Sequence, residues 1–294
     1  MTRSRTETRL EHRDGVAHRD VLWAAFGIPF RTRTSCAEAA TALEYQYREL
    51  RASSEFSAAP IDVLLQRVAG KGGVPGYRIE IEGEPVASVA GVGHLLHELD
   101  NQLAYRLQCR GASLYFVHGA VFARESSATL IAGASGAGKS TTAVALATAG
   151  LRYLSDELAG VRLDTGEIHP YARAICLKED PPPPLRLPAT ALRTEWTIHV
   201  QASELGAPVE PSLARLERFV FLTGAPAHRG GSPLRPLSRG EAAMRLYQNA
   251  LNQLAHPGSG LDDTIRLVAQ VDCFELGRAP PEEMLEAFAE IGAF

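Results

Sequence analysis

The sequence predicts an α/β protein built on a phosphate-binding loop, with a smaller α/β unit ahead of it. Three observations carry this prediction. The stretch Gly133-Ala134-Ser135-Gly136-Ala137-Gly138-Lys139-Ser140-Thr141 satisfies G-x-x-x-x-G-K-[ST] without a mismatch. A short apolar run, Ala128–Ala132, precedes it, and a helix-like run, Thr142–Ala149, follows and stops at Gly150. The next strand-like run, Leu151–Ser155, ends in the acidic pair Asp156-Glu157, only 17 residues after Lys139.

Each part of the loop has a chemical reason. Glycines let the backbone turn tightly and bring N–H groups close to phosphate oxygens. Lys139 supplies an ammonium for β- and γ-phosphates, and the Ser140 hydroxyl is placed to ligate Mg²⁺. The helix that begins here adds its positive end to the same site. Residues 133–141 are therefore the predicted nucleotide-binding segment. Of two adjacent carboxylates beside a nucleotide, one can hold Mg²⁺ and the other can accept the proton of an attacking hydroxyl. No N-K-x-D motif is present, which argues against a regulatory GTPase.

Upstream, Ser113–Ala123 reads as two short apolar strands broken at His118-Gly119, a bend where the backbone can pass close to a ligand. Downstream, Leu158–Leu163 continues as a strand, Asp164-Thr165-Gly166 turns, and Glu167–His169 returns. Arg173 and Lys178 flank the next apolar run and are candidates for further phosphate or substrate contacts, against the equal alternative of ordinary strand-end charges. Asp180 and Pro181–Pro184 form a stiff proline loop. Strands are expected at Leu216–Leu222 and Ile265–Leu276. A capping box at Ser238 and Glu241 starts a helix to about Ala255, and Pro280-Pro281-Glu282-Glu283 opens the last helix.

Ahead of this unit, residues 21–111 pattern as a small α/β unit. Strands are expected at Ile28–Thr34, Ile61–Val68, Tyr77–Glu82 and Pro85–Val89. Ser35 and Glu38 suggest a capping box for a helix through about Leu50. A second helix runs from Gly93 to about Cys109, with Leu95, Leu99, Leu103 and Leu107 at one-turn spacing as its core stripe. His94, His97 and Glu98 share that helix but match neither H-E-x-x-H nor H-x-x-E-H, and read as its polar face. The expected organisation is a tail over 1–20, this unit over 21–111 and the catalytic unit over 112–294.

Composition narrows the classes. With 294 residues, a net charge of −4 and a pI near 6.2, the chain has no electrostatic footprint for nucleic acid. Cys36, Cys109, Cys176 and Cys273 show no C-x-x-C pairing and read as buried thiols of a reducing compartment. No apolar run approaches the ~20 residues needed to span a bilayer. Residues 1–20 lack the apolar core of a signal peptide. The expected location is the cytoplasm, with no membrane partner.

Taken together, His118-Gly119, the Gly133–Thr141 loop and Ser155-Asp156-Glu157 resemble, in order and spacing, the catalytic domain of HPr kinase/phosphorylase and more closely the HPr-kinase-related proteins. The resemblance covers about Ser113–Lys178 well, the rest of the C-terminal third loosely, and the first hundred residues not visibly. It implies a mixed-sheet P-loop fold like that of phosphoenolpyruvate carboxykinase, and phosphoryl transfer from ATP to a serine hydroxyl of a protein or peptide. It further implies Asp156 as general base, His118 as a helper near the incoming phosphate, Lys139 on the β,γ-phosphates, and Ser140 with Glu157 on the metal, Asp156 beside them. The sequence departs from the family in carrying Glu157 where the pair is usually Asp-Asp, and Thr141 where Glu is frequent. It also lacks the later glycine-rich signature of the reverse reaction. Kinase activity is what transfers. The acceptor is left open between a protein or peptide, such as a natural-product precursor, and a small metabolite. A non-catalytic nucleotide sensor is the alternative of another class, and homo-oligomerisation is open.

Overall fold

Alternating exposure along short β-branched and aromatic runs builds the two larger of the three sheets found among the described residues. The computed structural model describes residues 19–52, 56–69, 76–226 and 232–293. Most of the tail expected over residues 1–20 lies outside them. Within the described residues the chain forms a mixed α/β structure divided into two units. One comprises residues up to Arg110 together with Leu192–Thr197, and the other comprises Gly111–Ala191 and Ile198 onward.

The first unit carries β1 (Arg19–Ala25), β2 (Ile28–Thr34), α1 (Ala37–Gln46), β3 (Ile61–Val68), β4 (Gly76–Ile81), β5 (Glu84–Ala90) and α2 (Gly91–Arg110). Its sheet runs β1-β2-β3-β4-β5. Only β2 and β3 pair in parallel, the crossover being made by α1. Every second residue of β3 and β4 faces inward: Ile61, Val63, Leu65, Tyr77, Ile79 and Ile81 are buried. The α2 stripe Leu95, Leu99, Leu103 and Leu107 is fully buried. The Ser35–Glu38 capping box does not form. Cys36 is the N-cap without a side-chain bond, and the Glu38 carboxylate instead accepts the Tyr77 hydroxyl at 2.7 Å. His94 Nδ1 lies 3.3 Å from Glu195, and both His94 and His97 pack on the Trp196 ring.

The second unit carries β6 (Leu114–Arg124), β7 (Ser127–Gly133), α3 (Lys139–Thr148), β8 (Arg152–Ser155), β9 (Leu158–Arg162), β10 (Glu167–His169) and β11 (Ile175–Leu177). After the two-residue β12 (Leu192–Arg193, in the segment of the first unit) come β13 (Ile198–Val200), β14 (Ala214–Pro226), β15 (Leu234–Pro236), α4 (Arg239–Asn249), α5 (Leu261–Ala269), β16 (Asp272–Arg278) and α6 (Pro281–Glu290). The main sheet follows β10-β9-β6-β7-β14-β16-β15, and β8 pairs with β6. It is mixed: β14 runs parallel to β7 and β16, whereas β6 is antiparallel to β7, β8 and β9. Because side chains alternate across a strand, Phe122, Ile131, Val220 and Leu222 join α3 and α6 in one core. Val121, Leu130, Phe219 and Phe221 join α4 and α5 in the other. The α3 helix lies at the centre of the first core, with Ala143–Ala147 fully buried.

Three sequence expectations change here. The expected break at His118-Gly119 is absent, and β6 runs unbroken through it. Glycine is needed there for closeness, not for a bend: a Cβ on Gly119 would stand 2.6 Å from the Ile131 carbonyl oxygen. Ile265–Ala269 belongs to α5, whose buried Asp263, Thr264, Leu267 and Val268 repeat with the helical period. The helix from the Ser238–Glu241 capping box, which does form, ends at Asn249.

Candidate functional site

The loop between β7 and α3 is shaped by two glycines in backbone conformations that other residues rarely adopt. Gly136 and Gly138 have φ of 81° and 103°. A side chain would meet no atom at either position, so the requirement is conformational. Gly133, at φ 155°, is constrained by space as well, since a Cβ there would lie 2.6 Å from the Leu222 carbonyl oxygen on β14. Ala134, Ser135 and Gly136 form the exposed crest, while Ala137, Gly138, Lys139, Ser140 and Thr141 are half-buried at the start of α3. Gly138 is the N-cap and brings no side chain to the first-turn amides. Amides in that position point along the helix axis, the usual setting for an anion.

Lys139 folds back over this loop, donating from Nζ to the Gly133 carbonyl at 2.7 Å and to that of Ala134 at 3.3 Å. Burial lowers its pKa, the charges of Glu157 and Asp156 oppose that, and Lys178 adds to the lowering. Lysine and acidic pair therefore share one electrostatic environment. Lys178, a sequence candidate for a phosphate contact, is exposed.

The acidic pair is the two-residue link from β8 to β9. Ser155 fixes the link: its hydroxyl donates to the Leu158 carbonyl at 3.0 Å and accepts from the amides of Glu157 and Leu158. Because β8 and β9 both pair with β6, the link falls where β6 changes partner, beside His118-Gly119. The Gly119 amide donates to the Glu157 carbonyl at 3.2 Å.

The two carboxylates differ in surroundings. The Asp156 side chain is 2% exposed, whereas that of Glu157 is 40% exposed. Asp156 accepts from the Cys176 amide at 3.1 Å, shares the Tyr153 hydroxyl (3.3 Å away) with the nearer Arg173 carbonyl, and lies 3.6 Å from the Arg173 guanidinium. Glu157 takes Arg173 Nη2 on Oε2 at 2.8 Å and faces His118 Nδ1 with Oε1 at 3.2 Å. Partial burial pushes the Glu157 carboxyl up, but the His118 hydrogen bond and the charges of Arg173 and Lys139 outweigh it and bring it down to about 2. In a neutral His118 ring, this contact places the hydrogen on Nδ1 and leaves Nε2 as an acceptor.

Arg173, a candidate phosphate or substrate contact on equal terms with an ordinary strand-end charge, is 3% exposed and turned toward the acidic pair. Its apolar neighbours Ala172, Ala174 and Ile175 are buried with it, and its carbonyl accepts the Tyr153 hydroxyl at 2.9 Å. Sequence reasoning missed Tyr153 and His199. The Tyr153 phenol is pushed well above its usual pKa by burial and by Asp156. His199 is pushed down to about 3 by burial and then by Arg173, so it stays neutral. Only Tyr153 has a sequence cue, its place three residues before Asp156.

The structure thus gathers His118, Asp156, Glu157 and Arg173 in one hydrogen-bonded and ion-paired cluster, with Lys139 in its field. Hydroxyl and carboxylate oxygens from Ser140, Asp156 and Glu157 are the hard donors Mg²⁺ prefers. Among the described residues, no group of three or more His, Cys, Asp or Glu is arranged to hold a metal ion unaided. One or two carboxylates completed by phosphates and water is the usual Mg²⁺ arrangement in such sites, and this donor set fits it. Among the described residues no helix is long and apolar enough to cross a membrane.

No family model matches the chain, and no curated protein does. Among solved structures, it is similar to the Hpr(Ser) kinase/phosphatase from Coxiella burnetii at 12% identity, over 60% of this chain and 91% of that one, with a TM-score of 0.30. At that score the likeness adds no weight to a fold or mechanism, and the functional reading rests on the site itself.

Proposed function

We propose that the protein is an ATP- and Mg²⁺-dependent kinase that transfers the γ-phosphate to a serine or similar hydroxyl of a protein or peptide, a peptide natural-product precursor being one such acceptor. The observation that carries this reading is a glycine loop with Gly136 and Gly138 in left-handed backbone and Lys139 at the start of α3, in the same unit as the Asp156-Glu157 link held by His118 and Arg173. A phosphate cradle beside an acidic pair is what phosphoryl transfer to a hydroxyl requires, since positioning and charge do most of the work.

The loop amides and Lys139 would bind the triphosphate, with Ser140 and Glu157 as the residues open to Mg²⁺ and the enclosed Asp156 adding its charge behind them. Bound there, the metal would neutralise charge developing on the phosphate oxygens. Exposure divides the carboxylates in a way the family resemblance does not. An incoming hydroxyl can meet Glu157, with His118 beside it, whereas Asp156 is enclosed by Tyr153, Cys176 and Arg173. We therefore assign proton acceptance to His118 through Nε2, with Glu157 orienting the ring through Nδ1 and Asp156 in a supporting role.

The test is transfer of labelled γ-phosphate from Mg·ATP into a lysate of the native host by wild type, Lys139→Ala, Asp156→Asn and Glu157→Gln. Wild-type label that vanishes in Lys139→Ala and Glu157→Gln is expected, and the labelled band then supplies the acceptor. ATP binding without any label dependent on these residues would reject the kinase reading.

A further inference from the structure

Arg173 is a buried cation whose position the function above does not use. Its Nη2 stands 2.8 Å from Glu157 Oε2 and 3.6 Å from Asp156 Oδ1, so one nitrogen serves both carboxylates. Nη1 donates to the Ala174 carbonyl at 3.3 Å, and the Tyr153 hydroxyl holds the Arg173 carbonyl. The guanidinium is thereby locked in place, and it stays charged at any pH a protein tolerates. Two carboxylates faced by Arg173 and Lys139 sum to no net charge, which leaves little attraction for a further cation. A triphosphate arriving on the loop and on Lys139 would turn that balance strongly negative.

We propose that Arg173, held against both carboxylates, competes with divalent cations for the accessible Glu157, so that metal joins it only together with a polyphosphate. The inference rests on the metal role assigned to Glu157 above. Arg173 is a positioning residue in this scheme: it touches neither phosphate nor metal, and it couples metal entry to nucleotide.

The experiment measures Mn²⁺ binding by electron paramagnetic resonance on the full chain, with and without a non-hydrolysable ATP analogue. Without nucleotide, wild type should bind Mn²⁺ weakly, and Arg173→Gln should bind it roughly tenfold more tightly, the order expected for losing one cation at this distance. Since Arg173→Gln strands a buried carboxylate and can fail to fold, a matched pair guards the test. Asp156→Asn/Arg173→Met should bind Mn²⁺ more tightly than Asp156→Asn alone. Equal or weaker binding on removing Arg173, in a protein whose wild type does form the Mn²⁺–analogue complex, overturns the proposal and leaves the kinase reading standing. Failure of wild type to form that complex overturns both.

Discussion

His118 Nδ1 and Glu157 Oε1 lie 3.2 Å apart across the point where β6 changes partner from β9 to β8. The pairing gives the most exposed carboxylate of the site a fixed orientation and turns the other ring nitrogen away from it. His118→Ala should lower kcat for phosphate transfer by about 100-fold, the lower end for loss of a group engaged in proton transfer. ATP affinity should change little. Asparagine can imitate Nδ1 but not Nε2, so His118→Asn should do no better than alanine. Recovery of activity in the asparagine variant would reduce His118 to an orienting residue.

Glu157 makes acid stability a second readout. Its folded-state pKa is brought down from 4.5 to about 2, so its contribution is fully present above pH 4.5 and is lost as the pH falls through about 2. With a side chain 40% exposed, solvent screening limits that contribution to the order of 1 kcal/mol. Urea midpoints of wild type and Glu157→Gln should differ at pH 7 and converge toward pH 2. A difference that persists unchanged at low pH would mean that the substitution acts through packing instead.

Asp156 is the structural half of the pair, and the two halves should separate experimentally. Asp156→Asn leaves Arg173 buried with half its counter-charge, a loss on the order of 3 kcal/mol by the behaviour of broken buried pairs. Glu157→Gln should cost far less stability while abolishing transfer. Comparable urea midpoints for the two variants would show that burial does not distinguish the carboxylates.

What was legible in the sequence was what local geometry dictates. Gly136 and Gly138 need left-handed backbone, β3 announces itself by the alternating apolar residues Ile61, Val63 and Leu65, and Ser238 with Glu241 forms the capping box its spacing suggests. What was not legible depends on partners distant in the chain. Arg173 lies in an apolar stretch that resembles any strand end, and only the fold brings it under Asp156 and Glu157. Ser35 and Glu38 have the spacing of a cap, but the buried Tyr77 hydroxyl takes the glutamate. His118-Gly119 carries the sequence mark of a bend, and the mark instead reports the closeness of a neighbouring strand.

That closeness makes Gly119→Ala the sharpest probe of how the sheet holds the site. The new methyl would stand 2.6 Å from the Ile131 carbonyl oxygen and 3.0 Å from a Leu130 methyl, and backbone cannot yield as a side-chain end can. Strands β6 and β7 would have to part at the pair Gly119–Ala132, one residue from both His118 and Gly133. Overpacking of this kind costs roughly 1–3 kcal/mol. The urea midpoint should fall with an unchanged slope, since the unfolded chain exposes nearly the same surface. Any parting of β6 from β7 also displaces the His118 ring relative to the glycine loop, so transfer should fall more than ATP binding does. A variant with wild-type midpoint and wild-type transfer would show that the strands have slack, and that glycine at 119 answers to something other than the approach of β7.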